Sequence, residues 1–262
     1  MKIRNPPIVE AWIEFHAQGS ETEETWPSGL DRFFGEIAGE YPTIERQVQE
    51  TYQVVERAPD GTPAQIAVQG ELSRVRAFDG PRRHCVQVSR DTLVVNLLKG
   101  DGPYEGFDRL LPAAMGQFGR FVQVFRPRSI MWAALHYTDV VHIPRAPGAA
   151  SRLEDYFRVG VQVPDDQTWV LGRIAVELSV SLSASPSEPD ELVIAFRRQP
   201  PDPGVAEDRF RVDWHAICAQ LDTLSSEVLR ARLTKVHGAL RARFRECFTD
   251  RAWALFGKES EA

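Results

Sequence analysis

VEAWIEFHA (residues 9–17) puts Val9, Ala11, Ile13 and Phe15 on one side of the chain and Glu10, Trp12, Glu14 and His16 on the other. A period of two marks a strand with one buried and one wet face. Asn5-Pro6-Pro7 gives it an extended entry, because proline disfavours helix for the residue before it. Beyond an acidic loop with Glu21, Glu23 and Glu24, residues 28–40 read as a short helix with an apolar stripe of Leu30, Phe33, Phe34 and Ile37. Strands are expected around 51–57, 65–78, 84–90 and 92–98, separated by turn signals at Pro59-Asp60-Gly61, Asp79-Gly80-Pro81 and Arg90-Asp91. In residues 106–125, Phe107, Leu111, Ala114, Phe118, Phe121 and Phe125 recur at helical steps. Pro112 predicts a kink, or a helix start, inside that segment. A strand over about 130–143 follows.

The second half repeats this order. RAPGAA is a loop and SRLEDYF a short helix. RIAVELSVSL alternates through Ile174, Val176, Leu178, Val180 and Leu182, ELVIAF through Leu192, Ile194 and Phe196, and RFRVDWHAI through Phe210, Val212 and Trp214. A long helix over 225–248 aligns Leu229, Leu233, Val236, Leu240, Phe244 and Cys247. The expected fold is α+β, with pseudo-duplicated halves, each strand–helix–antiparallel strands–long helix, forming antiparallel sheet covered by helices. The 262 residues are read as a single domain of two similar halves, about 1–145 and 146–262, matched in order rather than in sequence.

Composition narrows the function classes. Forty-three per cent hydrophobic and 26% charged residues suit an ordinary globular chain, and a net charge of −6 offers no overall attraction to nucleic acid or anionic membrane. No apolar run approaches the roughly 20 residues of a bilayer-spanning helix, and the first residues lack the pattern of a signal peptide. Cys85, Cys218 and Cys247 are odd in number and far apart, so buried reduced thiols in a cytoplasmic protein are expected rather than disulfides or a metal knuckle.

Three stretches together resemble a sporadically distributed prokaryotic family of comparable length whose function is not known. They are Asn5-Pro6-Pro7-Ile8-Val9-Glu10-Ala11, the mid-chain strand, and a terminal helix with Leu233, His237, Phe244, Thr249-Asp250 and Phe256-Gly257 in order. The family tends to show Arg-Tyr-x-Asn in the mid-chain strand, where this chain has His136-Tyr137-Thr138-Asp139. The resemblance implies a single two-half domain and no particular activity.

HYTDVVHIPR (residues 136–145) groups two histidines, a tyrosine and an aspartate. On a strand, His136 and His142 share a face roughly 20 Å apart at about 3.3 Å per residue, and Asp139 points the other way. The cluster therefore suits neither one metal nor a catalytic triad. Asp213 and His215 share a face beside Arg211, which reads as a row of salt bridges. HExxH, P-loop, GxSxG and dinucleotide signatures are missing, and LKGDGPYEG (98–106) reads as a strand-to-helix turn.

The terminal helix is the exception to this bland pattern. It is rich in base within an acidic chain, and Arg230, Lys235, Arg241 and Arg245 lie off its apolar stripe. They are the candidate partner-binding residues, set against a solvated face whose arginine stems cover core edges. No catalytic residue, metal or cofactor is assigned. The expected function is a non-enzymatic cytoplasmic protein-interaction module, an accessory of a mobile or defence locus. The alternative is a small-molecule binder with an apolar cavity between long helix and curved sheet. A protein partner is expected, nucleic acid and membrane are not, and self-association stays open.

Overall fold

The computed structural model describes residues 6–19, 26–57, 63–100, 102, 104–144, 153–158, 175–182, 190–199 and 207–257. The strands are β1 (Ile8–Gln18), β2 (Thr43–Arg57), β3 (Pro63–Phe78), β4 (His84–Ser89), β5 (Thr92–Leu98), β6 (Ser129–Pro144), β7 (Ala175–Ser181), β8 (Asp190–Gln199) and β9 (Glu207–Cys218). The helices are α1 (Trp26–Ile37), α2 (Phe107–Phe125), α3 (Ser226–Cys247) and α4 (Asp250–Leu255). The strands form one nine-stranded sheet in the order β2-β3-β4-β5-β1-β6-β9-β8-β7, with every neighbouring pair antiparallel. The fold is thus α+β, dominated by antiparallel sheet with helices laid on it.

Alternation decides which face the helices cover. Ala11, Ile13 and Phe15 of β1 are buried, and Phe15 packs on Phe118 of α2 at 4.9 Å. Tyr137 of β6 pairs with Trp214 of β9 on the same side, where Trp214 meets Phe244 of α3 at 5.5 Å. α2 lies over β5 and β1, α3 over β6 and β9, and α1 against α2. Among the described residues, the opposite face of the sheet carries no helix. Leu229, Leu233, Val236 and Leu240 are buried beneath α3.

Several elements differ from the sequence reading. β2 begins at Thr43, well before residue 51. It is an edge strand, and residues 43–49 are exposed, so no apolar alternation announces it. α2 starts at Phe107, upstream of Pro112, so the proline does not begin the helix. Gly106 precedes it at φ 88, a left-handed conformation that glycine adopts without a Cβ clash. The short helix expected at SRLEDYF reduces to a 3-10 turn, Leu153–Asp155, followed by a β-bridge from Phe157 to Phe248. Tyr156 and Phe157 are both buried, and adjacent residues do not share a helix face. The acidic loop with Glu21, Glu23 and Glu24, the turn at Pro59-Asp60-Gly61, RAPGAA and Ile174 lie outside the described residues.

The apolar stripe of α3 ends differently from its sequence pattern. Phe244 is only half-buried. Phe248, just past the helix, is completely buried among Phe157, Trp214, Phe244, Trp253 and Phe256. The short α4 supplies the last partners of that cluster, and Thr249 caps it by accepting from the Ala252 amide. Phe248→Ala should cost about 3–5 kcal/mol and Phe244→Ala roughly 1–3 kcal/mol. A urea titration of both variants checks this, and a larger loss at Phe244 would put the anchor on the helix.

Candidate functional site

The uncovered face is organised around the β1–β6 pair. Trp12 lies opposite His136 and His16 opposite Trp132 in the register. Trp12 stacks on His136 with ring centroids 4.6 Å and planes 4° apart. His16 stacks on Trp132 at 5.0 Å and 5°. Both strands therefore carry Trp-x-x-x-His, as WIEFH (12–16) and WAALH (132–136), and antiparallel pairing sets each tryptophan on the other strand's histidine. Each histidine also reaches one strand further out. His16 Nδ1 lies 3.2 Å from Thr92 Oγ1, and His136 Nδ1 lies 2.8 Å from His215 Nδ1.

Two imidazole nitrogens at that distance cannot both be protonated. Burial pushes His136 down to about 3, and His215 adds to the shift. Burial also lowers His215, against the pull of Asp213 and Glu177. Both rings are neutral near pH 7. His136 Nε2 lies 3.6 Å from Glu14 Oε2, too far for a hydrogen bond. Burial raises the Glu14 carboxyl, partly offset by His16 and Arg74. A buried imidazole with so low a pKa is a weak base, so this geometry is a stacking and hydrogen-bonding platform, not a poised acid–base pair. Beside it, Thr138 Oγ1 donates to Asp213 Oδ1 at 2.8 Å, and Arg211 Nε donates to the same carboxylate at 2.8 and 2.9 Å. The Arg211–Asp213 pair thus exists as expected from the sequence, although Asp213 is buried.

Structure separates the members of HYTDVVHIPR. His142 is exposed, with Nδ1 3.1 Å from Glu207 Oε2. Asp139 points to the helix side and is completely buried. Its Oδ2 accepts from Trp214 Nε1 at 2.7 Å, while Oδ1 has no partner. Burial raises this carboxyl to about 7, opposed by the Trp214 bond and assisted by Asp213. Nearby, Tyr104 sits edge-on to Tyr137 at 6.3 Å, and His237 of α3 stacks on Phe107 at 3.9 Å. Burial, with Arg241 adding, lowers His237 to about 4.

The four basic candidates Arg230, Lys235, Arg241 and Arg245 are all exposed on α3. Lys235 also lies 3.6 Å from Asp190, a buried carboxylate at the start of β8 that Arg232 binds as well. Part of the basic row therefore holds the helix to the sheet. The structure does not bring these residues together with the Trp–His platform, which is on the opposite face.

Two hollows accompany that platform. One of about 440 Å³ lies over β3, β4, β5 and β1, lined by Glu10, Trp12, Glu14, Arg74, Arg76 and Asn96 among others. A shallower one of about 590 Å³ is lined by Gln18, Met131, Trp132, Ile217, Ala219, Gln220 and Asp222. A β-bulge shapes the second. Ile130 pairs with Ala17 and Trp132 with His16, so Met131 is the extra residue and stands exposed beside the tryptophan. Gln220 and Asp222 border it in left-handed conformations, φ 51 and 38. The repeated Trp-x-x-x-His spacing was the one sequence signal that could have found this face. No known family model matches the chain, and no curated protein sequence matches it. Among the described residues no group of three or more His, Cys, Asp or Glu is placed to hold a metal ion, and no helix is long and apolar enough to cross a membrane.

The buried titrating groups make two opposite pH signatures. Asp139 holds its proton in the fold up to about pH 7 but ionises near 4 when unfolded, so stability falls as pH rises from about 4 to 7. Asp139→Asn should therefore gain little at pH 4 and on the order of 3 kcal/mol at pH 8. Thermal melts across that range check it, and a pH-independent gain would show that the carboxyl is not protonated in the fold. The histidine pair works in reverse. Its depressed pKa values mean that stability is fully present above about 6.5 and is lost as pH falls toward 3. His215→Gln should flatten this acid loss between pH 6.5 and 4.5, relative to the parent protein under identical conditions.

Proposed function

We propose that the chain is a non-enzymatic protein-interaction module whose partner docks on the uncovered sheet face. The observation that carries this is the bulge at Met131, which sets an exposed methionine beside Trp132 in an apolar hollow of about 590 Å³. A bulge that turns a flexible apolar side chain outward contributes nothing to the core. Methionine adapts to irregular partner surfaces, and tryptophan is enriched among the residues that dominate binding energy. The four apolar side chains buried beneath α3 favour this reading over an apolar cavity between long helix and sheet. Arg230, Lys235, Arg241 and Arg245 are a second, weaker docking row for an acidic partner. A cytoplasmic setting in a mobile or defence locus belongs to the same proposal. Cys85 and Cys218 support its reducing compartment, since they are free, buried and pushed by burial up to about 12. The family resemblance is likewise an inference from its residues.

The strand order supports reading the two halves as a duplication. β1 and β6 open their halves, lie together at the centre, and are flanked by the last strands, β5 and β9. The reciprocal Trp–His stacks obey the same two-fold relation. On this proposal β6 opens the second half instead of closing the first. A second functional reading, a small-molecule binder, is favoured by the 440 Å³ hollow, within the roughly 300–1,000 Å³ of ligand sites. It moves the ligand from beneath the helix to the open face.

Affinity capture from the native host, with mass spectrometry, tests the main reading by comparing variants. Met131→Glu should lose the specific partner at least tenfold while melting within a few degrees of the parent, because Met131 is exposed. The Arg241→Glu/Arg245→Glu pair should keep it. The reverse result would transfer the interface to α3 and sink the face reading.

A further inference from the structure

The smaller hollow separates charge in a way the fold does not need. Arg74 and Arg76 stand on β3, Glu10 and Glu14 on β1, and two strands lie between them. Three inter-strand spacings of about 4.8 Å put roughly 14 Å between the two backbones. Neither guanidinium has a carboxylate partner among the described residues. Arg74 donates to Gln87 Oε1 and Arg76 to Gln47 Oε1, both at a long 3.4 Å, and Arg76 Nε is buried without a partner. On the other side, Glu14 lies 3.6 Å from the neutral His136 and also feels His16 and, across the hollow, Arg74, without an ion pair to either.

An oriented chain of amides forms the floor between these banks. Arg74 donates to Gln87, Gln87 Nε2 donates to Asn96 Oδ1 at 2.6 Å, and Asn96 Nδ2 donates to Glu10 Oε1 at 2.7 Å. Every amide points its donor toward the acidic bank and its acceptor toward the basic one. This alignment fixes the polarity of the hollow. A simple anion meets two carboxylates there, and a simple cation meets two guanidinium groups. Trp12 adds an aromatic wall on the acidic side, where an ammonium group is attracted to the ring.

We propose that this hollow binds a small zwitterion whose charges are several bonds apart. Its carboxylate lies on Arg74 and Arg76, and its ammonium lies between Glu10 and Glu14 against Trp12. The proposal deepens the small-molecule reading of the open face and is independent of the Met131 hollow. Guanidinium groups suit planar carboxylates, and roughly 14 Å between the two backbones leaves room for a ligand whose charges are several bonds apart.

Isothermal titration of the full chain at low salt with 6-aminohexanoate, hexanoate and hexylamine tests it. We expect 6-aminohexanoate to bind at least tenfold more tightly than either singly charged analogue. Arg76→Gln, or Arg74→Gln should the first variant fold poorly, should reduce it to the level of hexylamine. Glu14→Gln should reduce it to the level of hexanoate. The proposal is overturned if 6-aminohexanoate shows no advantage, or if these variants leave its affinity unchanged. In that event, loss of a protein partner in Met131→Glu would still uphold the docking reading, so the two failures are distinguishable.

Discussion

The antiparallel pairing of β1 with β6 carries the rest of the molecule, because it is the one seam joining the two sides of the sheet. β1 takes β2–β5 on one flank, and β6 takes β9, β8 and β7 on the other. Its register sets Ile13 against Leu135 beneath the helices and Trp12 against His136 on the open face. A slip by one residue reverses every side chain of a strand. Phe15 would then leave Phe118 for water, and Glu14 would enter the core. Core and platform are two consequences of the same alignment.

Three of the four buried aspartates among the described residues show how the sheet tolerates charge on each face. Asp213 is held by Arg211 and Thr138 on the open face. Asp190 is held by Arg232 and Lys235 on the helix side. Asp139 has only the Trp214 indole and one unmatched oxygen. Losing one partner of a buried ion pair is costly, and an unpaired carboxyl escapes the same cost by keeping its proton. Burial accordingly raises the Asp139 carboxyl toward neutrality. The basic row on α3 gains a structural role from the same logic, since Lys235 lies 3.6 Å from Asp190, the first residue of β8.

Local periodicity made most of the fold legible. The alternation in residues 9–17 located β1, residues 92–98 gave β5 as observed, and the stripe over 225–248 gave α3 almost to the residue. What stayed hidden was set by partners distant in sequence. β2 begins early because β3 pairs with it, although its described side chains, residues 43–49, are exposed. His136 meets His215 across 79 residues, and nothing in either strand's own pattern specifies that register. The separation of His136 from Asp139 was legible because it depends only on strand geometry. The candidate face was not, because alternation shows that a wet side exists but not which wet side chains stack together.

The described edge at β2 argues for recognition through the face rather than by adding a strand. Glu45 pairs with Arg82 at 2.7 Å and Arg46 with Asp31 at 2.9 Å, so charged side chains lie along this edge. Charged edges discourage strand addition, since an incoming chain must displace or desolvate them. The Met131 hollow makes a smaller demand, because its lining is mostly apolar and its bulge is already formed. A partner that buries Met131 and Trp132 gains apolar contact without breaking an ion pair. For the partner proposed above, docking on the face therefore costs less than docking along β2.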